Sequence, residues 1–210
     1  MDQREVWDER YAVDHFIFGE EPNAFLRSCA DYLRPGMRVL TLADGEGRNG
    51  VWLAQQGLDV VSTDISPRAQ EKARHLAVER GVSVDFDLVD LASWSWPEEE
   101  FDLVVAIFIQ FAGPDLREAI FQGIKRTLKP GGLLLLEGYR PEQVEYGTGG
   151  PPTAENMYTL CMLSEAFSEF EIVSLIAYEA DIEEGPGHRG KSALIDLVGR
   201  KPARLLGRGG

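Results

Sequence analysis

Val39-Leu40-Thr41-Leu42-Ala43-Asp44-Gly45-Glu46-Gly47-Arg48-Asn49-Gly50 is the stretch on which the reading of this chain turns. The apolar run from Arg38 to Leu42 predicts a strand, the glycines a tight turn, and the residues through Gln56 a helix. Glycines at 45 and 47 let the backbone approach a ligand closely, and the helix N-terminus offers free N–H groups with the positive end of a dipole. Such a turn suits a pyrophosphate and equally the carboxylate of an amino-acid-like ligand. Asp64 follows the next apolar run, Asp59–Thr63, about twenty residues downstream, where an acid accepts both ribose hydroxyls. The plain structural alternative is a tight turn with a surface aspartate. The strand–turn–helix setting with a downstream acid favours a nucleoside ligand over it.

Outward from this unit the chain alternates. Ser66-Pro67 opens a helix predicted to run to about Arg80, serine capping and proline fitting the first turn, with Gly81 as its stop. Val82–Asp87 alternates as a third strand. Phe101–Phe108 is nearly all apolar, as expected of a strand covered on both faces. A helix over Asp115–Leu128 ends at Lys129-Pro130-Gly131-Gly132, and Leu133–Glu137 reads as the fifth strand. Strand and helix alternating at this spacing imply right-handed βαβ units and a parallel sheet. After a Gly/Pro loop at 147–152, a helix is expected over Glu155–Phe167. Strands are expected over Phe170–Tyr178 and Ser192–Gly199, joined by a long loop and forming an antiparallel end to the sheet. The stretch up to Leu33 is expected to be helical, with Asn23 as a cap.

Bulk properties bound the function. The 210 residues are 44% hydrophobic and 27% charged, which is ordinary globular composition and leads us to expect a single domain over 1–210. No apolar run approaches the roughly 20 residues that span a bilayer. The polar start is neither a secretory signal nor a transit peptide. Cys29 and Cys161 lack any metal-ligand spacing, so no metal or disulfide is expected, and a reducing cytoplasm is the simplest location. The net charge of −14 disfavours nucleic acid and acidic lipid as partners. The basic cluster from Arg200 to Arg208 reads as part of a flexible tail over 201–210. Oligomeric state, monomer or homodimer, is left open.

Gly45-x-Gly47-x-x-Gly50 with Asp64 also fits an NAD fingerprint. Two features weigh against it. The first strand begins only at Arg38, and Leu128-Lys129-Pro130-Gly131-Gly132-Leu133-Leu134-Leu135-Leu136 resembles the turn into the fifth strand of class I methyltransferases. Trp7-Asp8-Glu9-Arg10-Tyr11 and Phe16–Leu26 are similar to the opening of small bacterial methyltransferases of the tellurite-resistance type. Gly45-Glu46-Gly47-Arg48-Asn49 and Glu184-Gly185-x-Gly187-His188-Arg189-Gly190 resemble that group too. The resemblance covers nearly the whole chain. It implies a doubly wound α/β fold, a mostly parallel, seven-stranded Rossmann-like methyltransferase sheet with an antiparallel terminal strand. It also implies an N-terminal helical lid over residues 1–36, S-adenosylmethionine as cofactor and a small-molecule acceptor.

By the same resemblance, Gly45 and Gly47 pass under the methionine end of the cofactor, with Asp44, Arg48 and Asn49 beside them. Asp64 holds the ribose, Ile65 lies by the adenine, Asp90 and Leu91 meet its amine and ring, and Ile107 lines the sulfonium pocket. Trp7, Arg10 and Tyr11 belong to the lid. Ile65, Leu91 and Ile107 read equally well as plain core, and Trp7 as a staple for a terminal helix.

The chain departs from the usual Asp-Leu-Gly-Cys-Gly pattern in having Thr41-Leu42-Ala43-Asp44-Gly45. Thr41 replaces an acid that helps hold the cofactor's amino group. Ala43 adds a methyl that costs little only if its φ is negative. Asp44 brings a charge able to face the ammonium or sulfonium. Soft nucleophiles such as thiolates or selenium and tellurium oxyanions need no base. For a hydroxyl or amine acceptor, His188 is the candidate base and Arg189 the candidate anion binder, against a solvated histidine in a Gly-rich loop. A nucleoside-binding module with lost catalysis is the alternative from another class, and an NAD-dependent oxidoreductase a further one.

Overall fold

Val39 and Leu40 are both fully buried yet belong to core clusters on opposite faces of one sheet, as do Leu103 and Val104, and Leu133 and Leu134. Side chains alternate across a strand, so a strand covered on both faces needs an unbroken apolar run. That is why these strands are legible as apolar blocks. Fully burying one such side chain contributes about 1.5–3 kcal/mol.

The computed structural model describes residues 2–204. Seven strands form one sheet in the order β3-β2-β1-β4-β5-β7-β6. They are β1 (Arg38–Thr41), β2 (Asp59–Asp64), β3 (Asp85–Leu88), β4 (Phe101–Ile107), β5 (Leu128–Tyr139), β6 (Glu171–Glu183) and β7 (Arg189–Arg200). All neighbours are parallel except β7, which runs antiparallel to both β5 and β6. The helices are α1 (Gln3–Arg10), α2 (Ala24–Ser28), α3 (Arg48–Gln55), α4 (Pro67–Glu79), α5 (Pro114–Thr127), α6 (Gln143–Tyr146) and α7 (Leu160–Ala166). This is the Rossmann-like methyltransferase sheet expected from the sequence, with the antiparallel end in place.

Capping chemistry sets several boundaries. Ser66 Oγ accepts from the Ala69 N–H at 3.1 Å, with Pro67 in the first turn of α4. Asn23 Oδ1 accepts from the Leu26 N–H at 2.9 Å, as its capping role required.

Six expectations are corrected. The stretch up to Leu33, expected to be helical, is α-helical only over Gln3–Arg10 and Ala24–Ser28, with irregular chain between them. The strand expected at Val82 begins at Asp85. Lys129–Gly132, expected to be a turn, lies within β5 at a register shift, where Gly131 and Gly132 exchange backbone hydrogen bonds of 2.9 Å with Lys201. Lys201, placed by the sequence in a free tail, is therefore tied down, and residues 205–210 of that tail lie outside the described residues. The helix expected over Glu155–Phe167 is broken: the Tyr158 N–H donates to the Tyr139 carbonyl at 2.9 Å, and only Leu160–Ala166 is α-helical. The last two strands reach far beyond their expected ends, leaving residues 184–188 as the turn between them.

The sheet order creates the functional crevice. From β1 the chain winds outward through β2 and β3, then returns to place β4 on the other side of β1. The two βα connections diverge there, and open α/β sheets take ligands at this switch point, beyond the carboxyl ends of the strands.

Candidate functional site

A cavity of about 490 Å³ occupies the switch point. That is within the roughly 300–1,000 Å³ typical of ligand pockets. Its floor is Leu42–Glu46 after β1, its sides are Asp64 and Ile65 after β2 and Ile107 and Phe108 after β4, and its cover is the N-terminal segment. Of the residues singled out in the sequence, Trp7, Arg10, Tyr11, Asp44, Gly45, Arg48, Asn49, Asp64, Ile65, Asp90, Leu91, Ile107 and His188 all line it.

Gly47 and Arg189 do not stand in the lining. Gly47 has φ +85°, and a Cβ there would come 2.6 Å from Ala73 Cβ, so this glycine lets α4 pack against the turn. Arg189 is exposed at the start of β7 and faces Glu183 at 3.9 Å. Gly50 leaves room for a carboxylate: a Cβ on it would lie 2.6 Å from Asp44 Oδ2.

Two acids of the crevice, Asp64 and Asp44, are held by short hydrogen bonds, most of them from backbone N–H groups. Asp64 accepts from Gly45 N–H at 2.9 Å and Ser66 N–H at 2.8 Å. Asp44 Oδ2 accepts from Gly50 N–H and Ser62 Oγ, each at 3.0 Å. Burial pushes Asp64 up to about 6 against those hydrogen bonds. Burial also pushes Asp44 up to about 7, with Asp64's charge adding to the rise and Arg48's opposing it. Withdrawal from water disfavours the charged form, and two neighbouring carboxylates disfavour each other's ionisation. Ala43, beside them, has φ +45°. The condition for a cheap methyl is therefore not met, and a left-handed alanine costs about 1–2 kcal/mol.

Arg48 and Asn49 open α3 and are both buried. Arg48 Nη2 pairs with Glu184 at 2.7 Å, while Nη1 is buried without a partner among the described residues. The Asn49 side-chain oxygen accepts from the Asn23 N–H at 3.0 Å, so part of this residue's role is to fasten the N-terminal segment. Leu91 is buried and Asp90 exposed at the rim, where its Oδ1 accepts from the Ala92 N–H at 2.9 Å.

The cover is an aromatic lid. Trp7 stacks on Tyr11 with centroids 5.9 Å apart, and the Arg10 guanidinium sits 5.0 Å from the Trp7 centroid and 5.1 Å from that of Phe18. Glu46, which the sequence reading passed over, is its anchor. Glu46 Oε2 accepts from the N–H groups of Ile17 at 2.8 Å and Phe18 at 3.3 Å, and Oε1 pairs with Lys72 at 2.8 Å. Its contacts lie far away along the chain, so nothing local marks it.

His188 sits among rings, 4.3 Å from Phe108, 4.6 Å from Phe18 and 5.8 Å from Tyr139 by centroids. Burial pushes it down to about 3, helped by Arg48 and Arg10. It is a neutral imidazole near pH 7 and a poor proton acceptor, not the well-matched base the sequence allowed. Its Nδ1 and the Tyr139 hydroxyl are both buried without partners among the described residues. Phe108 packs on Tyr139 at 4.7 Å from a left-handed backbone, φ +53°. Strain of that kind persists only where surrounding contacts enforce it, and it gathers at functional sites.

Among the described residues, no cluster of His, Cys, Asp and Glu could hold a metal ion, and no helix is long and apolar enough to cross a membrane.

A family model described as a methyltransferase domain matches residues 39–132. An uncharacterized methyltransferase of Synechocystis sp. is 37% identical over 111 residues, 52% of this chain and 50% of that protein. The chain spans about half the length of the first curated relatives it matches. The structure of TehB from Haemophilus influenzae is similar with a TM-score of 0.71 at 18% identity, over 94% of this chain and 66% of that one. The N-methyltransferase NodS from Bradyrhizobium japonicum, in complex with S-adenosyl-l-homocysteine, gives a TM-score of 0.71 at 14% identity, over 96% and 100% of the two chains. These two likenesses carry the fold, and the family match covers the strand–turn–helix unit and the crevice strands. Residues 39–132 of this chain, then, are similar to the methyltransferase-domain family.

Proposed function

We propose that this chain transfers the methyl group of S-adenosylmethionine to a small-molecule acceptor that arrives already nucleophilic, such as a thiolate or a soft oxyanion. The observation that carries the reading is the charge pattern of the crevice. Among the described residues no ion pair engages the two adjacent carboxylates Asp44 and Asp64, and Arg48 Nη1 is buried without a partner. A ligand with an ammonium, a sulfonium and a carboxylate complements all three. A dinucleotide's pyrophosphate would instead meet like charge, which counts against the oxidoreductase reading.

In this reading Asp64 accepts the ribose hydroxyls, and Ile65, Asp90 and Leu91 surround the adenine. Asp44 faces the cationic centres. Arg48 and the start of α3 take the carboxylate, with Gly45, Gly47 and Asn49 shaping that turn. Trp7, Arg10 and Tyr11 close the lid, and Ile107 lies on the sulfonium side. The bound sulfonium supplies an activated methyl group, so the protein's task is to position the acceptor in line and exclude water. Phe108, Tyr139 and His188 form the wall where the acceptor would stand. A neutral His188 offers hydrogen bonding without strong basicity, which favours acceptors needing no deprotonation. The narrower tellurite-resistance-type reading draws on the opening segment and the Glu184–Gly190 segment. A reducing cytoplasm is compatible with two free cysteines.

The second reading, a nucleoside-binding module without turnover, is favoured by one observation, the strained Ala43 beside a Thr41 that replaces an acid. Incubation with S-adenosylmethionine and a panel of thiols and oxyanions separates the two. Appearance of S-adenosylhomocysteine with an equimolar methylated acceptor supports the enzyme. Binding with no product on any acceptor supports the module.

A further inference from the structure

We propose that Glu184 is a positioning residue for the transfer site, fixing the Arg48 guanidinium for the cofactor's carboxylate while clipping the N-terminal lid shut over it. The inference rests on the cofactor reading above.

Glu184 begins the turn between β6 and β7, and its carboxylate joins three parts of the molecule. It pairs with Arg48 Nη2 at 2.7 Å, with side chains only 10% and 6% exposed. Its Oε1 accepts from the Ala24 N–H at 2.8 Å, and its two oxygens accept from Asn23 Nδ2 at 3.1 and 3.2 Å. No other ion pair holds Arg48 among the described residues. The fork of a guanidinium is rigid, so fixing Nη2 also fixes the direction of the unpartnered Nη1.

Backbone contacts make the clip specific. The Gly187 N–H donates to the Ile17 carbonyl at 2.8 Å. Gly185, at φ +81°, touches the Gly19 backbone so closely that no side chain fits between them. The Asn23 N–H reaches Asn49, the residue after Arg48. Lid, turn and the first turn of α3 therefore share one carboxylate, and opening the lid would remove the Asn23 and Ala24 donors that orient Glu184 toward Arg48.

Three variants test this by binding, independently of turnover. Glu184→Gln keeps an oxygen for the Ala24 N–H but removes the charge opposite Arg48. Its affinity for S-adenosylhomocysteine should fall about ten-fold or more. Its affinity for 5′-methylthioadenosine, which has the nucleoside but no amino-acid carboxylate, should stay within about two-fold. A merely structural role would weaken both ligands alike. Glu184→Asp should restore part of the lost affinity. Ala24→Pro deletes only one N–H, at a position already in the first turn of α2, so it tests the clip in a chain whose Arg48 pair is intact. Amide exchange at Asn23 and Gly187 should accelerate in Glu184→Gln and in Ala24→Pro.

Equal losses for both ligands, or Glu184→Gln binding S-adenosylhomocysteine like the wild type, overturn the positioning role. Unchanged exchange in Ala24→Pro overturns the clip, including in the case where Glu184→Gln does not fold. A wild type that binds neither ligand would instead remove the cofactor reading itself, while leaving the exchange test of the clip standing.

Discussion

A Cβ placed on Gly45 would stand 2.6 Å from the hydroxyl of Tyr11. The lid is thus seated directly on the glycine turn, and the backbone that the sequence reserves for a ligand also makes room for a lid side chain. Gly45 further has φ +59°, which a side chain rarely adopts. Gly45→Ala should displace Tyr11 and weaken S-adenosylhomocysteine binding at least about ten-fold, with a loss of roughly 1–2 kcal/mol in stability from the backbone alone. Titration and thermal melting of the variant check both, and wild-type binding would mean that Tyr11 is not held by this turn.

Ala43 offers the opposite change. Its left-handed backbone makes Ala43→Gly stabilising by about 0.5–1 kcal/mol, the relief of strain exceeding the added freedom of the unfolded chain. For a domain of this size that raises the melting temperature by roughly 2–4 °C per kcal/mol. A lower melting temperature would argue that the methyl makes contacts worth more than the strain.

The raised carboxyl of Asp44 sets a pH dependence. A group at about 7 in the fold and 3.8 as a free side chain stabilises the ligand-free protein fully below about 4. That contribution disappears as pH rises through 7, and Asp64, at about 6, acts in the same direction. His188 acts oppositely, adding stability as pH rises from about 3 to 6.5, so the difference between wild type and Asp44→Asn isolates the one group. Asp44→Asn should be the more stable protein at pH 8 and lose that advantage near pH 4. Affinity of the wild type for S-adenosylmethionine should tighten as pH rises through 7, when Asp44 ionises beside the cations, and Asp44→Asn should lose this trend. Melting and titration series over pH 4–8 give both readouts, and parallel curves for the two proteins would sink the assignment.

His188 should not behave as a base. At saturating cofactor, kcat with a thiol acceptor should show no histidine-like step near pH 6.5, because the imidazole is neutral throughout. His188→Asn should lower kcat less than about ten-fold, against the 10²–10⁴ typical of removing a general base. A larger loss with a pH step absent from the variant would return His188 to the base role.

How far the sequence could be read follows from the range of each interaction. The unit from Arg38 to Gln55 was legible because apolar period, glycine turn and helix start are local signals, and Ser66-Pro67 is equally local. The long β6–β7 pair was not. Its outer half carries Glu179, Asp181 and Glu183 on an edge strand, and their charge masks the alternation that Tyr178, Ala180 and Ile182 maintain. The helix expected from Glu155 was broken by one hydrogen bond from Tyr158 to Tyr139, which only the fold can bring together. In the crevice, the residues named around the glycine turn, Gly47 apart, line the cavity as expected, whereas Glu46 and Glu184, whose partners lie on distant segments, have no role in the sequence reading. The sign of φ at Ala43 was invisible for a related reason, since it is imposed by the turn and not by alanine's own preference.

The central claim, an S-adenosylmethionine site built on Asp44, Asp64 and Arg48, is tested most directly by calorimetric titration of the chain with S-adenosylmethionine, S-adenosylhomocysteine and NADH. Micromolar binding of the two adenosyl ligands without NADH binding is the expected result. Binding of NADH alone, or of none of the three, would contradict the claim.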